Sequence, residues 1–310
     1  MGTNPFFTSA ASTIGAQTDL LTLELLVLSG FFTAIVVILM FYFGIKYREG
    51  NNVDRSNPPG ASSKVELSWI GGLLILSLGT FSLGTLEYYR MQRPPENSLD
   101  IYIVGKQWMW KAQHQEGPSE IDTLHIPVGQ PIRLIMTSQD VIHSFYIPAF
   151  RVKQDVIPGR YTMLWFTATK TGEYHLFCAE YCGTAHAEMQ GTIIVMEPYL
   201  YQQWLISSST GQPLVQGGAQ LFTQLGCAHC HAPGSGIHAP NLAGVFGQPV
   251  PLSNGATVIA DETYIRESIF FPKAKIVAGY DPIMPTFEGR ITEEQVLQLV
   301  AYIRSLKATP

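Results

Sequence analysis

With 310 residues the chain has room for about two domains, and 46% hydrophobic composition points to membrane segments. A net charge of −5 argues against a general nucleic-acid binder, because such proteins carry a clear basic excess. Four cysteines in an oxidising compartment would ordinarily form two disulfides, but their spacing suggests other uses.

Two uncharged runs come first, LLVLSGFFTAIVVILMFYFGI over residues 25–45 and LSWIGGLLILSLGTFSLGTL over residues 67–86. Each can cross a hydrocarbon core about 30 Å thick, so membrane spans are expected over about 21–46 and 65–88. Uncharged runs of this length are uncommon as buried helices of soluble proteins. The connecting loop carries Lys46, Arg48, Arg55 and Lys64, and no Lys or Arg precedes Lys46. The positive-inside rule therefore places the loop in the cytoplasm and both termini outside, across a bacterial plasma membrane. Residues 1–24 lack a basic segment, so the first span is expected to serve as its own insertion signal rather than a cleaved leader.

Residues 98–198 change character. Short runs such as IYIV, IRLIMTS, YTMLWFTA, EYHLFCA and GTIIVM alternate with turn-forming Pro127 to Gly129, Pro158-Gly159 and Lys170 to Gly172. This predicts an all-β sandwich or barrel of roughly 100 residues. Residues 199–217 are expected to be a linker, with a short helix at Tyr199 to Leu205 and then SSSTGQPLVQGG, whose composition suits a flexible tether that lets the next domain swing or dock. Residues 218–310 are predicted as a small all-α domain, with helical patterns at 218–225, after an Asp261 cap, and after a Thr/Glu capping-box-like start at Thr292.

Two stretches carry chemistry. In FCAEYCGTAHAEMQ, Cys178 and Cys182 are four apart, His186 follows four later and Met189 three after that. Soft thiolate and thioether ligands with imidazole favour copper. Two cysteines can bridge two copper ions that share an electron, each ion then needing its own imidazole; His143, in DVIHSFYIP, is the best placed second histidine. A disulfide or a structural zinc are the competing readings. Further on, Cys227-Ala-His-Cys230-His231 is the Cys-x-x-Cys-His attachment pattern of a c-type haem, with His231 as proximal ligand. A thioredoxin-like redox pair is disfavoured because no βαβ pattern surrounds it. Met284, the only methionine after Met196, is the candidate sixth ligand, with His238 as the alternative. His114, His125, His175 and His229 have no partner motif and are expected to be ordinary strand or loop residues.

The run from Cys178 to Met189, with His143-Ser-Phe-Tyr-Ile-Pro148 upstream, resembles the binuclear copper A motif of cytochrome c oxidase subunit II. That resemblance implies a two-span hairpin followed by a cupredoxin-like Greek-key domain. It further implies that Cys178 and Cys182 bridge the coppers, that His143 and His186 are terminal ligands, and that Met189 and the Glu180 carbonyl are weak ones. The Glu180 side chain would face a magnesium ion at the boundary with subunit I. Gln107-Trp108-Met109-Trp110 resembles the family's aromatic segment, which implies that electrons enter past Trp108, and Glu66 matches the glutamate at the mouth of a proton channel. GAQLFTQLGCAHCH, HAPNLAGVFG and the Met284 loop resemble class I cytochromes c, with Pro240 as the proline near the proximal histidine.

Together these features resemble subunit II of bacterial haem–copper oxidases with a fused cytochrome c domain. The expected function is electron input to a terminal oxidase: external donor to haem c, to copper A, to the catalytic subunit that reduces oxygen, coupled to proton translocation. Expected partners are subunits I and III, a donor such as a cytochrome c or a quinol-oxidising complex, and membrane lipid. Two other readings stay open, the electron-input subunit of a copper A nitric oxide reductase and a free-standing membrane-tethered electron carrier.

Overall fold

The computed structural model describes residues 9–54, 56, 62–208, 211–232 and 234–307. Arg55 of the basic loop, residues 1–8, and Ser209 and Thr210 of the expected linker lie outside the described residues. Two helices open the chain, α1 (Thr13–Lys46) and α2 (Ser63–Met91), of 34 and 29 residues. At 1.5 Å per residue both exceed the thickness of a hydrocarbon core. Leu26, Phe31, Ile38, Phe41, Leu74 and Phe81 leave apolar side chains exposed along them, which lipid would cover at no cost and water would not. Glu66 lies in the first turn of α2, where a carboxylate also suits the helix dipole.

Ten strands follow: β1 (Leu99–Lys106), β2 (Met109–His114), β3 (Ser119–Ile121), β4 (Thr123–Pro127), β5 (Pro131–Ser138), β6 (His143–Ile147), β7 (Val152–Val156), β8 (Thr162–Thr167), β9 (Gly172–Cys178) and β10 (Gln190–Met196). They form two five-stranded sheets, β3-β2-β1-β5-β8 and β4-β10-β9-β6-β7. Pairing is antiparallel except for β1 with β5 and β4 with β10. Alternating Ile132, Leu134 and Met136 from the first sheet and Phe145, Leu176 and Ile193 from the second are buried, as period-2 patterning requires of strands that share a core. This is a cupredoxin-like β domain. Residues 11–12 also belong to it: the Ala11 N–H donates to the Ala149 carbonyl and the Ser12 hydroxyl to the Phe150 carbonyl.

Helix α3 (Pro198–Ser207) is fastened to this domain rather than left free. The Tyr201 hydroxyl bonds His114 Nδ1 at 3.0 Å, and Trp204 stacks on His125 with ring centroids 4.5 Å apart. Both histidines converge on Glu120, His114 Nε2 at 2.9 Å and His125 Nδ1 at 2.5 Å. Burial works against the Glu120 charge, but the hydrogen bonds from these two imidazoles and from the His125 N–H outweigh it and hold the carboxyl below its usual value.

The C-terminal part comprises α4 (Leu214–Gln224), α5 (Cys227–His231), a small hairpin β11 (Pro249–Pro251) and β12 (Thr257–Ile259), α6 (Glu262–Phe270) and α7 (Glu293–Ser305). Helix α4 begins at Leu214, inside the stretch expected to be a flexible linker, so the described non-helical connection shortens to residue 208 and residues 211–213. The hairpin, too, was not visible in the sequence pattern. Asp261 Oδ1 caps α6 by accepting from the Tyr264 N–H at 2.8 Å. Thr292 caps α7 in a capping box, but its reciprocal partner is Gln295 at the third helical position, rather than a glutamate. Helices α4 and α7 cross at backbone contact, because Gly218 leaves room where a Cβ would overlap the Gln298 carbonyl.

Candidate metal centre and cofactor cavity

Strand β9 delivers Cys178 at its last residue, and the loop to β10 folds back over it, so that Cys182, His186 and Met189 gather around one point with His143 from the start of β6. The two thiols lie 3.7 Å apart, well beyond the ~2.05 Å of a disulfide. Each has one imidazole beside it. His143 Nδ1 is 4.0 Å from Cys178 Sγ, and His186 Nδ1 is 3.5 Å from Cys182 Sγ. The weaker donors divide the same way, with the Glu180 carbonyl 3.3 Å from Cys178 Sγ and Met189 Sδ 3.8 Å from Cys182 Sγ. His143 and Met189 are fully buried and Cys182 is 3% exposed, so water has little access. Two central sulfurs, each flanked by one nitrogen, fit soft-metal ligation with bridging thiolates.

Burial opposes ionisation of both thiols. At Cys178 the His143 imidazole and backbone contacts overcome it and lower the thiol to about 6. At Cys182 burial and the neighbouring Cys178 charge act together and push the thiol up. Two thiols this close titrate as a pair, the first proton leaving more readily than the second.

Sequence reasoning passed over the residues that aim His143. Asp140 Oδ1 lies 2.8 Å from His143 Nε2, while its other oxygen accepts from the Gln107 N–H at 2.7 Å. A carboxylate on the far nitrogen fixes the tautomer and leaves Nδ1 for the metal. Burial disfavours the Asp140 charge, and the N–H groups of Gln107 and Val141 with His143 more than offset it, so this carboxyl lies below its usual value. The spacing Asp140-x-x-His143 was the available signal. The ring of His143 also lies against Gly105, where a Cβ would come within 2.9 Å of His143 Cδ2.

Trp108 touches the same loop from outside. Its indole N–H donates to the Cys182 carbonyl at 3.2 Å, alongside the Gln107 side-chain amide at 2.8 Å, and the residue is 37% exposed. Gly183, at φ 118°, is required there, since a Cβ would sit 3.0 Å from Gln107 Nε2 and 3.2 Å from the indole. Glu180 is exposed, as is Glu66.

The second site is a cavity of about 480 Å³ in the helical domain, lined mostly by apolar side chains and edged by Cys227, Cys230, His231 and Met284. The thiols are free. His231 Nδ1 bonds the Pro240 carbonyl at 2.9 Å, which leaves Nε2 for an iron. The role of Pro240 is therefore a hydrogen bond as well as packing. His238 also lines the cavity, but its Nε2 is engaged by the Gly279 carbonyl at 3.1 Å and its ring stacks on Tyr280. Met284 has no such engagement of its sulfur among the described contacts and packs against the domain core. Thiols, an oriented imidazole and a thioether around an apolar hollow fit a covalently attached haem.

Comparison with known proteins matches two family models, "Cytochrome C oxidase subunit II, periplasmic domain" over residues 82–197 and "Cytochrome c" over residues 215–307. The chain is 30% identical over 293 residues to a cytochrome c oxidase subunit 2 of Alkalihalophilus pseudofirmus, covering 88% of this chain and 83% of that one. It is 25% identical to an alternative cytochrome c oxidase subunit 2 of Bradyrhizobium diazoefficiens, covering 66% of this chain and 84% of that one. Among solved structures, the periplasmic domain of subunit II of cytochrome oxidase of Bradyrhizobium japonicum is 34% identical, with a TM-score of 0.36, and covers 37% of this chain and 96% of that one.

Proposed function

The chain belongs to the cytochrome c oxidase subunit 2 family, and from that premise we propose that it is the electron-input subunit of a bacterial terminal oxidase, with subunit I as its catalytic partner. The observation that carries this reading is the presence on one chain of two separate donor sets, the buried sulfur–imidazole cluster and the apolar cavity with its Cys-x-x-Cys-His edge. The family implies copper A and haem c for them; when bound, each supplies a centre that takes up and releases one electron.

In this proposal residues 98–198 and the helical part, which begins with α4 at Leu214 rather than at residue 218, are the two working domains. Cys178, Cys182, His143 and His186 would hold the copper centre, with Met189 and the Glu180 carbonyl as weaker donors, and the centre would supply one-electron transfer there. Cys227 and Cys230 would tether the haem, and His231, oriented by the Pro240 carbonyl, and Met284 would be the residues that hold its iron. Electrons from a donor outside reach the helical domain, pass to the β domain and leave for subunit I. Trp108 gives the copper site an exposed aromatic contact through which electrons can also enter. The exposed Glu180 carboxylate is available to a magnesium ion at the boundary with subunit I, and Glu66 is the proposed intake of a proton channel. A donor such as a cytochrome c or a quinol-oxidising complex, a subunit III and lipid complete the surroundings.

The proposed orientation has both metal-binding domains outside the plasma membrane. The hydrogen bonds of Ala11 and Ser12 to the β domain put chain before α1 and chain after α2 on one side, as two crossings require, and the basic residues of the loop between the helices support that side being the outer one. The purified complex is expected to contain copper and one covalent haem for each copy of this chain, and to reduce oxygen to water. Zinc in place of copper, or efficient turnover with nitric oxide alone, would contradict the reading.

A further inference from the structure

Strand β1 contains IYIV, an apolar run without alternation. A strand that reads this way must be covered on both faces. Ile101 and Ile103 face the sandwich core, and the cover for the other face comes from the helical domain: Tyr102 and Val104, with Ile135 and Tyr161, are buried in one cluster with Leu214 of α4 and Leu297 and Ala301 of α7. Helix α7 therefore has two buried faces. Leu299 and Ile303 line the cofactor cavity, while Leu297 and Ala301, displaced by two residues and so about 200° around the helix, pack on the β domain.

Charged groups surround this apolar centre. Asp100, 5% exposed, accepts from Arg133 of its own sheet at 2.6 Å and from Arg304 of α7 at 2.5 Å. Glu294 of α7 meets Lys111 at 2.9 Å and the Gln139 amide at 3.1 Å. Arg266 of α6 donates to the Gly159 carbonyl at 2.8 Å, and the Leu214 N–H to the Gln115 carbonyl at 3.0 Å. An apolar middle inside a rim of ion pairs and hydrogen bonds is the anatomy of a lasting interface. Separating the two domains would expose the apolar cluster and strip Asp100 of one of its two guanidinium partners.

We propose that the helical domain is held against β1 and β5 as one rigid body with the β domain, and that α7 and β1 form the contact through which an electron leaves the cavity for His143. Val104 is followed directly by Gly105, whose missing side chain admits the His143 ring, so packed atoms run from Leu299 through α7, Leu297 and Val104 to the copper site. Gly105 reaches the site on the His143 side, whereas Trp108 reaches it on the Cys182 side. The inference rests on the haem and copper assignments of the proposed function, and it replaces a swinging tether with a fixed contact.

The test uses the whole complex and times the transfer of one electron from haem to copper. In the native complex the rate should be independent of solvent viscosity, and six Gly/Ser residues inserted after Ser208 should change it less than twofold. Ala301→Arg, which drives a charge into the contact, should slow it more than tenfold with both sites still loaded. A rate that falls in proportion to viscosity, that responds to the insertion, or that survives Ala301→Arg would overturn the proposal. The viscosity series needs no variant, so it decides even if Ala301→Arg fails to fold. Absence of any haem-to-copper transfer in the native complex would instead overturn the reading on which the inference rests.

Discussion

The two candidate sites are built in opposite ways. Around Cys178 and Cys182 the fold itself supplies the coordination: donors from β6, β9 and the loop before β10 lie within 4.0 Å of one another in succession, and Asp140 fixes the ring that points at them. The helical domain supplies a hollow. Its sulfurs and imidazole come from a five-residue motif, its thioether from a loop more than fifty residues later, and its walls are apolar side chains of several elements. A small metal cluster has no framework of its own, so the protein must hold every donor. A haem brings a rigid ring, so the protein needs only two tethers, an axial pair and a matching cavity.

This difference predicts that losses at one site stay local. Cys178→Ser should abolish the copper centre and cut oxygen consumption by a factor on the order of a hundred or more, with covalent haem unchanged in a stained gel. Gly218→Ala should be the largest lesion of the other region that leaves its donors untouched. Its Cβ would overlap the Gln298 carbonyl where α4 and α7 cross, and forced separation of well-packed elements costs about 1–3 kcal/mol, to be read as a lowered melting temperature of the haem-containing domain. Asp140→Ala should lower copper affinity roughly tenfold or more while protein stability changes little, which titration with a competing chelator would measure.

The smallest effect tests the anchoring of α3. The Glu120 carboxyl lies below its ordinary value of 4.5, so its contribution to stability is fully present above that pH and is lost as pH falls through the lower, folded value. Glu120→Gln should therefore cost about 1 kcal/mol at pH 7, and native and variant unfolding curves should converge in acid.

Local patterns made the chemistry legible. Cys178-x3-Cys182 and Cys227-x2-Cys230-His231 sit in short loops whose spacing alone encodes the donor set, and both long apolar helices and the Asp261 cap could be read directly. Contacts between distant segments could not. β7 reads VKQDV, polar enough to pass for a loop, and is a strand because β6 pairs with it. His114 and His125 look unpartnered until β3 brings Glu120 between them. The stretch after residue 207 has a linker's composition, yet most of what flanks it is helix seated on the β domain, since composition reports the solubility of a segment and not the surface waiting for it.

The central claim is that electrons held by the helical domain reach oxygen only through the Cys178–Cys182 site. The most direct measurement mixes the fully reduced complex rapidly with oxygen and follows reoxidation of the c-type haem, in the native complex and in Cys178→Ser. The account predicts rapid reoxidation in the first and a haem that stays reduced in the second; equal rates in the two, or a native haem that oxygen leaves reduced, would contradict it.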